Sequence, residues 1–285
     1  MLKKINGYKL LIALLVTVLC LPAVAKTDGK KVGGDKNFPS LLSNSADAPF
    51  LKVQSDSLYN LMGLEGFGLQ RDVFFKAYKG YNYLLKKGLV RKKNILTVCD
   101  YSQSSNNKRL YVIDLKETRL LFNTFVSHGK NSGGEFATTF SNLVESNKSS
   151  LGFMMTGETY NGKAGYSMRF DGMEAGINDK VRARDVVLHG SNFVNAQRVE
   201  ERGMIGNSLG CPAIPNDKRK QVIDAIKGGS CFYINHTDNW YNTTSSIINA
   251  SFDIAPVVHP SPIASQSTNG VNGNSTVSNS TKSSF

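Results

Sequence analysis

The chain has 285 residues, of which 34 are Lys or Arg and 22 are Asp or Glu, so its formal net charge is +12. This length suffices for one large domain or two small ones, and a hydrophobic fraction of 40% can form a sizeable core. The positive charge suits an anionic polymer or a membrane surface as a partner. We find no Lys/Arg cluster interleaved with aromatic residues, which argues against nucleic acid.

The N-terminus has the pattern of a secretory signal peptide. Three lysines precede an almost unbroken apolar run over residues 10–21, and Ala25 closes an Ala-Val-Ala segment. We therefore predict a signal peptide over residues 1–25, and a mature protein in the periplasm or cell wall that has no integral membrane span. An uncleaved anchor is the alternative, although the apolar run is short for a full span. Cleavage removes three lysines and no acid, which lowers the formal charge from +12 to +9.

The next two segments differ in their apolar pattern. Residues 26–48 are polar and contain glycine and proline, which predicts a flexible linker. Apolar residues then recur at helical spacing from Leu69 to Leu85, and Gly88 is placed to end that helix. We predict a helical segment over residues 49–91 that packs on the main domain.

Short apolar runs separated by glycine-rich connections predict a mostly β domain over residues 92–238. The first two runs flank a polar turn and should form a β-hairpin. A short helix is expected over residues 217–227. The predicted strands occupy residues 95–99, 110–115, 120–126, 153–156, 167–170, 185–188 and 231–234. Residues 239–285 are rich in Ser, Asn and Thr, and we predict a largely disordered tail there, because residues 256–285 offer few apolar groups to bury.

Cysteine usage singles out one thiol. Cys20 leaves with the predicted signal peptide, so Cys99, Cys211 and Cys231 remain. An odd number in an oxidising compartment means that at least one thiol has no intramolecular partner. Cys99 and Cys231 lie on predicted strands, where they could form a disulfide or remain two buried thiols. We favour buried thiols, since strand cysteines often serve as small apolar residues.

The pair His189 and Cys211 is the strongest candidate site. His189 ends a predicted strand, and Cys211 follows 22 residues later in a turn between Gly210 and Pro212. A thiol nucleophile needs an imidazole to take its proton, and an adjacent glycine lets backbone N–H groups approach an oxyanion. One alternative is a structural Cys near a core His. A metal site is a weaker alternative, because one Cys and one His lack the paired spacing of zinc ligands. We predict no metal.

An ordered series of motifs resembles the catalytic domain of the L,D-transpeptidases, often called the YkuD family, and most closely its murein L,D-transpeptidase branch. His189-Gly190 followed by Ser208-Leu209-Gly210-Cys211 is the core of the resemblance, which extends from about residue 69 to residue 234. Further matching segments cover residues 109–115, 128–133, 149–153, 157–160 and 165–172. The resemblance implies a β-sandwich-like catalytic domain, mostly β with flanking helices, that needs no cofactor.

The same resemblance implies a role for each residue of the motif. Cys211 would be the nucleophile, and His189 would be the general base, oriented by a backbone carbonyl near Gly190. The N–H groups of Gly210 and Cys211 would hold the oxyanion, and Ser208 would shape the turn. The implied substrate is a peptidoglycan tetrapeptide stem. Its diaminopimelate carbonyl would be transferred to the thiol with loss of D-alanine, and then to an amine of a second stem, giving a 3–3 cross-link.

The sequence departs from the commoner family motif in two places. That motif has a His before the Gly-Cys pair and an Arg or Asn soon after it, whereas here Leu209 and Pro212-Ala213 occupy these places. The roles of the missing residues therefore cannot be carried over. Arg169, His128 and Tyr166 are the candidates for substrate binding, and Arg169 could pair with a carboxylate. The alternatives are a structural ion pair for Arg169 and a turn position for His128.

Three functions remain open at this stage. The first is the L,D-transpeptidase. The second is an L,D-carboxypeptidase on the same site, in which water replaces the acceptor amine. The third is an exported wall-binding protein with a degenerate site, suggested by the basic charge and the altered motif. The sequence does not determine the acceptor or the oligomeric state.

Overall fold

A computed structural model of the chain describes residues 48–251. The predicted signal peptide, all but the last residue of the predicted linker, and the C-terminal tail from residue 252 lie outside the described residues. Among the described residues, no helix combines the length and the apolar character needed to span a bilayer.

Eight strands form one sheet: Ile95–Asp100 (β1), Leu110–Asp114 (β2), Arg119–Thr124 (β3), Gly152–Gly162 (β4), Gly165–Gly172 (β5), Val187–Ser191 (β6), Ala213–Pro215 (β7) and Cys231–Asn235 (β8). Their order across the sheet is β3-β2-β1-β8-β4-β5-β6-β7. The sheet curls until the segment after β3 reaches β7, where the Ser127 N–H donates to the Ala213 carbonyl at 2.8 Å. This confirms the predicted mostly β fold with flanking helices.

The centre of the sheet is buried and holds two of the three remaining cysteines. β1 pairs with β2 as the predicted antiparallel hairpin and with β8 in parallel. Cys99 lies opposite Ile234 and Cys231 opposite Leu96, so the two cysteines are three positions apart along neighbouring strands. That offset is about 10 Å, too far for a disulfide. Both are free and fully buried, as favoured from the sequence, and burial raises the pKa of each thiol.

The helices cover the sheet from several sides. α2 ends where Gly88 adopts a left-handed conformation with φ of 71°, as its position in the sequence predicted. α2 also packs very closely on β4, because a Cβ added at Gly80 would lie 2.0 Å from the Phe153 ring. The helices are Ala48–Leu61 (α1), Arg71–Lys86 (α2), Ala196–Arg202 (α3), Arg219–Ile226 (α4) and Asn239–Thr244 (α5).

The predicted start of the tail at residue 239 is wrong, because packed structure continues beyond it. α5 begins there and is capped by the Asp238 side chain, which accepts from the Tyr241 N–H at 2.9 Å. The Tyr241 ring is fully buried, and its hydroxyl lies 3.2 Å from Glu174 Oε2. Ile247 and Ile248 are buried as well. A few apolar side chains in a polar stretch are enough to anchor this segment.

Candidate active site

The pairing of β6 with β7 brings His189 and Cys211 to one place. The two strands run parallel, with His189 opposite Ala213, so Cys211 lies just before the strand that flanks the histidine. The His189 N–H donates to the Pro212 carbonyl at 3.5 Å. Both side chains line one cavity of about 560 Å³, which we call the Cys211 cleft. Within the described residues, no hydrogen bond joins the sulfur to the imidazole ring.

A tight turn presents the cysteine. The Ser208 hydroxyl donates to the Cys211 carbonyl at 2.5 Å and accepts from the Gly210 N–H at 3.1 Å. Gly210 has a φ of 121°, a conformation that side chains rarely adopt, and a Cβ there would lie 3.0 Å from the Lys148 carbonyl. Leu209 is exposed at the tip of the turn. Ser208 and Gly210 therefore both shape the turn.

The turn uses one of the two predicted oxyanion donors. The Gly210 N–H is committed to Ser208, whereas the Cys211 N–H makes no hydrogen bond to any other described residue. The Cys211 N–H is the donor available to a bound carbonyl oxygen. In this structure, Gly210 contributes conformation and close packing, and its N–H is not free for a ligand.

The Cys211 sulfur is held by the first residue of β6 and by the segment just before it. The Val187 N–H donates to Sγ at 3.4 Å, and the thiol donates to the Asp185 carbonyl at 3.5 Å. Burial raises the pKa of the Cys211 thiol, against the opposing effects of the Val187 N–H and the Arg184 guanidinium. The thiol is therefore protonated near neutral pH in the free protein.

The His189 ring is oriented for base chemistry. Its Nδ1 lies 3.0 Å from the Gly190 carbonyl, which only accepts, so Nδ1 carries the proton and Nε2 is the free basic nitrogen. Burial lowers the pKa of His189, Arg219 lowers it further, and the Gly190 carbonyl raises it. A lowered imidazole pKa beside a raised thiol pKa favours a neutral pair in the free protein over a thiolate–imidazolium ion pair.

Arg169 lies in the Cys211 cleft and is already paired. Its Nη1 is 2.9 Å from Asp185 Oδ1, its Nε is 3.7 Å from Glu158 Oε1, and its guanidinium lies 4.7 Å from the centre of the Tyr160 ring. Tyr160 and Asp185 also line the cleft, and neither was selected from the sequence. The alternative ion pair is therefore present, and the contact of Arg169 with a substrate stays a prediction.

Tyr166 does not line the Cys211 cleft, which corrects its selection as a substrate contact there. Its hydroxyl donates to Asp224 Oδ1 at 2.8 Å and accepts from Lys227 Nζ at 3.1 Å, both on or near α4. Side chains alternate along a strand, so Tyr166 and Arg169, an odd number of residues apart on β5, point to opposite faces. The strand predicted from the sequence begins at residue 167, so this alternation was not applied to Tyr166.

His128 is also absent from the cleft, and its selection as a substrate contact is corrected as well. The residue is fully buried, with Nδ1 2.8 Å from Arg109 Nη2 and Nε2 3.3 Å from the Gly133 carbonyl. Burial and the Arg109 charge lower the pKa of His128 to about 4. Its carbonyl accepts from the Ser208 N–H at 3.0 Å, so the main chain of His128 supports the turn that presents Cys211.

Arg184 is a residue of the site that sequence reasoning missed. Its guanidinium donates to the Lys148 carbonyl at 2.7 Å and to the Ser150 hydroxyl at 2.6 Å, and its charge lowers the pKa of Cys211. A Cβ at Gly210 would lie 3.7 Å from its Nη2. The partners are more than 30 positions away in the chain, so no local pattern marks this arginine.

No metal site emerges near these residues. Among residues 48–251, no three His, Cys, Asp or Glu side chains cluster closely enough to hold a metal ion.

Comparison with known proteins identifies a family. The family model for the L,D-transpeptidase catalytic domain matches residues 66–235. Solved structures give weak similarity: an L,D-transpeptidase from Mycobacterium smegmatis has 13% identity and a TM-score of 0.32, and covers 50% of this chain and 59% of its own. An L,D-transpeptidase from Stackebrandtia nassauensis has 13% identity and a TM-score of 0.31, and covers 68% of this chain and 93% of its own. The chain thus spans little more than half the length of the mycobacterial protein. No curated protein matches the chain.

Proposed function

Because this chain belongs to the L,D-transpeptidase catalytic domain family, we propose that it is an exported cysteine acyltransferase acting on the stem peptides of peptidoglycan. The observation that supports this most directly is the shared cleft of Cys211 and His189, which are 22 residues apart in the chain. Export is supported by the pattern of residues 1–25, and the basic charge suits an anionic wall.

In the first half-reaction, the stem becomes attached to the thiol. His189 Nε2 accepts the thiol proton while Cys211 Sγ attacks the carbonyl carbon at the L-centre of diaminopimelate, forming a C–S bond. The C–N bond to D-alanine then breaks, and the imidazolium returns the proton to the leaving amine. The products are a Cys211 thioester and free D-alanine.

In the second half-reaction, the amine of a neighbouring stem takes the place of the departed one. His189 Nε2 accepts a proton from this amine as its nitrogen attacks the thioester carbonyl. The new C–N bond forms, the C–S bond breaks, and the proton passes to the sulfur. The product is a 3–3 cross-link, and the neutral thiol and imidazole are restored.

The resting state of the pair requires activation by the substrate. A protonated thiol beside a neutral imidazole is a weak nucleophile, because the thiolate is the reactive form. Transfer of the proton becomes favourable when a carbonyl carbon is within reach of the sulfur and the developing oxyanion meets the Cys211 N–H. We expect this arrangement to suppress reactions of the thiol with small electrophiles in the absence of a stem peptide.

Muropeptide profiling tests the proposal. In a strain that lacks other enzymes of this activity, expression of the wild-type protein should produce 3–3 cross-linked dimers, and Cys211→Ala should produce none. Cys99→Ala is the matched control, since it removes a buried thiol that does not line the Cys211 cleft and should retain the dimers. Equal cross-linking by wild type and Cys211→Ala would overturn the proposal.

A second candidate activity is hydrolysis at the same thioester. It is favoured by the exposure of the cleft rim, where the Asp185 side chain is 78% exposed and Leu209 68% exposed, so that water can reach the carbonyl. An L,D-carboxypeptidase would convert a purified tetrapeptide stem to the tripeptide with no dimer, whereas a transpeptidase would yield dimer at high stem concentration. A protein that binds sacculi but never acquires a stem or carbapenem adduct on Cys211 would instead be a wall-binding protein.

A further inference from the structure

A second cavity adjoins the Cys211 cleft at His189. It has a volume of about 710 Å³ and includes His189 and Gly190 but not Cys211. We call it the basic cavity, because Lys163, Arg198 and Arg219 line it and the described residues around it include no Asp or Glu. The two cavities share Lys163, Ala164, His189 and Phe193, and Cys211 lines only the Cys211 cleft, so a ligand in the basic cavity can lie against His189 without touching the sulfur.

The cations of this cavity have no anionic partner among the described residues. Arg198 makes no ion pair, and its Nε is buried without a hydrogen bond. Arg219 Nη1 donates only to the Ala164 carbonyl, at 3.2 Å, and its Nε is also buried and unpaired. Arg169, which lines the Cys211 cleft, and Arg182, which shares Glu158 with it, behave differently: Arg169 is 2.9 Å from Asp185 and Arg182 is 2.7 Å from Glu158. A buried guanidinium nitrogen with no partner is costly and points to a ligand that completes it.

Arg219 is fixed directly behind the base. A Cβ at Gly190 would lie 2.7 Å from Arg219 Cδ, and a Cβ at Gly165 would lie 2.5 Å from Arg219 Nη1, so two glycines make room for this side chain. Its charge lowers the pKa of His189. An anion that neutralised Arg219 would therefore make His189 a stronger base at the moment when the ligand arrives.

The proposed reaction supplies an anion of the required kind. The leaving group is a D-amino acid whose free carboxylate is two bonds from the nitrogen that His189 must protonate. The incoming amine occupies the same place in the second half-reaction, and at the D-centre of diaminopimelate it too has a carboxylate on the adjacent carbon. A guanidinium fork matches a carboxylate bidentately.

We propose that the basic cavity is the binding site for the carboxylate adjacent to the reacting amine, held by Arg198 and Arg219 with Lys163 at the rim. This inference rests on the proposed function for the identity of the ligand. It assigns the basic cavity to the leaving and acceptor amines, and the Cys211 cleft to the acyl donor.

Acceptor discrimination tests the assignment. The full mature chain is acylated with a tetrapeptide stem, and isotopically labelled D-alanine and D-alaninamide compete as acceptors, with products quantified by mass. Wild type should favour D-alanine by roughly tenfold to a hundredfold, as expected for a charge-assisted contact. The Arg198→Gln/Arg219→Gln protein should lose most of this preference. Arg219→Lys, which keeps the charge but loses the fork, should be intermediate.

The matched control is Arg202→Gln. Arg202 lies on the same helix as Arg198, is exposed, and does not line the basic cavity, so its loss should leave the preference intact. An equal use of the two acceptors by acylated wild type would overturn the inference while the proposed function stood.

An equilibrium measurement separates the two proposals. Binding of D-alanine, D-alaninamide and inorganic phosphate to the Cys211→Ala protein is followed by the NMR shifts of the His189 ring. D-alanine binding that needs both arginines supports the carboxylate site even if no stem ever acylates Cys211, in which case the proposed function fails alone. Phosphate binding as tight as that of D-alanine, or no binding of either, would overturn the carboxylate assignment.

Discussion

Two regions of this molecule begin with the same dipeptide, His128-Gly129 and His189-Gly190, and only the second lines the Cys211 cleft. Each histidine has one ring nitrogen hydrogen-bonded to a backbone carbonyl: Nε2 in His128 and Nδ1 in His189. The difference lies in the second nitrogen: Arg109 occupies Nδ1 of His128, whereas Nε2 of His189 has no protein partner among the described residues. A histidine with both nitrogens engaged cannot exchange a proton without breaking a hydrogen bond.

The two glycines differ in the same way. A Cβ at Gly129 would lie 2.5 Å from the Asn147 carbonyl and 2.9 Å from Gly210 Cα. The absence of a side chain at Gly129 therefore lets the turn that presents Cys211 pack closely on this region. A Cβ at Gly190 would lie 2.7 Å from Arg219 Cδ, so that glycine brings a cation to the base. The first region supports the turn that presents Cys211, and the second brings Arg219 against His189.

Loss of the base should have the largest effect. We expect His189→Ala to lower the rate of Cys211 acylation by about 10²–10⁴-fold, because it removes the group that accepts the thiol proton. The thermal midpoint should change little, since the ring lies at a cavity wall and is only half-buried. Intact mass spectrometry gives the rate. A tenfold or smaller loss for His189→Ala, with a greater loss for His128→Asn, would reverse the assignment of the two histidines.

The pH dependence of stability should come next in size. The pKa of His128 is lowered to about 4 in the folded chain, against about 6.5 when unfolded, so the unfolded state binds a proton first as the pH falls. Stability is therefore lost between pH 6.5 and 4, by about 3 kcal/mol from this residue. The side-chain oxygen of His128→Asn can still accept from Arg109. Between pH 7 and pH 4, the free energy of unfolding in urea should therefore fall by about 3 kcal/mol less for this variant than for wild type.

His189→Ala is the control for that measurement. It retains His128 and should show most of the wild-type loss of stability at low pH. Identical pH profiles for wild type and His128→Asn would contradict the buried, neutral state assigned to His128.

A smaller effect is expected from the hydrogen bond between His128 and Arg109. His128→Leu keeps the site apolar and filled but removes the acceptor of the Arg109 guanidinium, which should cost about 1–3 kcal/mol in the free energy of unfolding. His128→Asn should recover part of this. Acylation per folded molecule should stay within a few-fold of wild type for both variants, and equal stabilities of the Leu and Asn proteins would rule out a net contribution from the bond.

The sequence predicted those parts of the fold that have a local cause. The β1–β2 hairpin follows from two apolar runs around a polar turn, and the end of α2 follows from Gly88. β7 has only three residues and ends in Pro215, too short to show a period, so it was missed although it places Cys211 beside His189. The tail boundary was missed because Tyr241 packs on Glu174, 67 positions away.

The candidate site divides in the same way. His189, Cys211 and the turn residue Ser208 could be selected because the motif is contiguous. The sequence could not select three arginines, Arg184, Arg198 and Arg219. Each is one of 34 Lys and Arg residues, and only its neighbours in the folded chain distinguish it. Burial separates His128 from His189, and burial depends on contacts such as that with Arg109, 19 positions away.

The smallest effect should come from Ser208, which contacts His128 and lines the Cys211 cleft with His189. Its N–H donates to the His128 carbonyl, and its hydroxyl holds the Gly210 N–H and the Cys211 carbonyl. Ser208→Ala removes only the side-chain bonds, so we expect a loss of about 1 kcal/mol in stability and a few-fold slower acylation of Cys211. Ser208→Thr retains the hydroxyl and should remain near wild type in both. If the Ala variant acylated faster than wild type, the released Gly210 N–H would be acting as a second oxyanion donor, and the turn would be limiting the reactivity of the nucleophile that it positions.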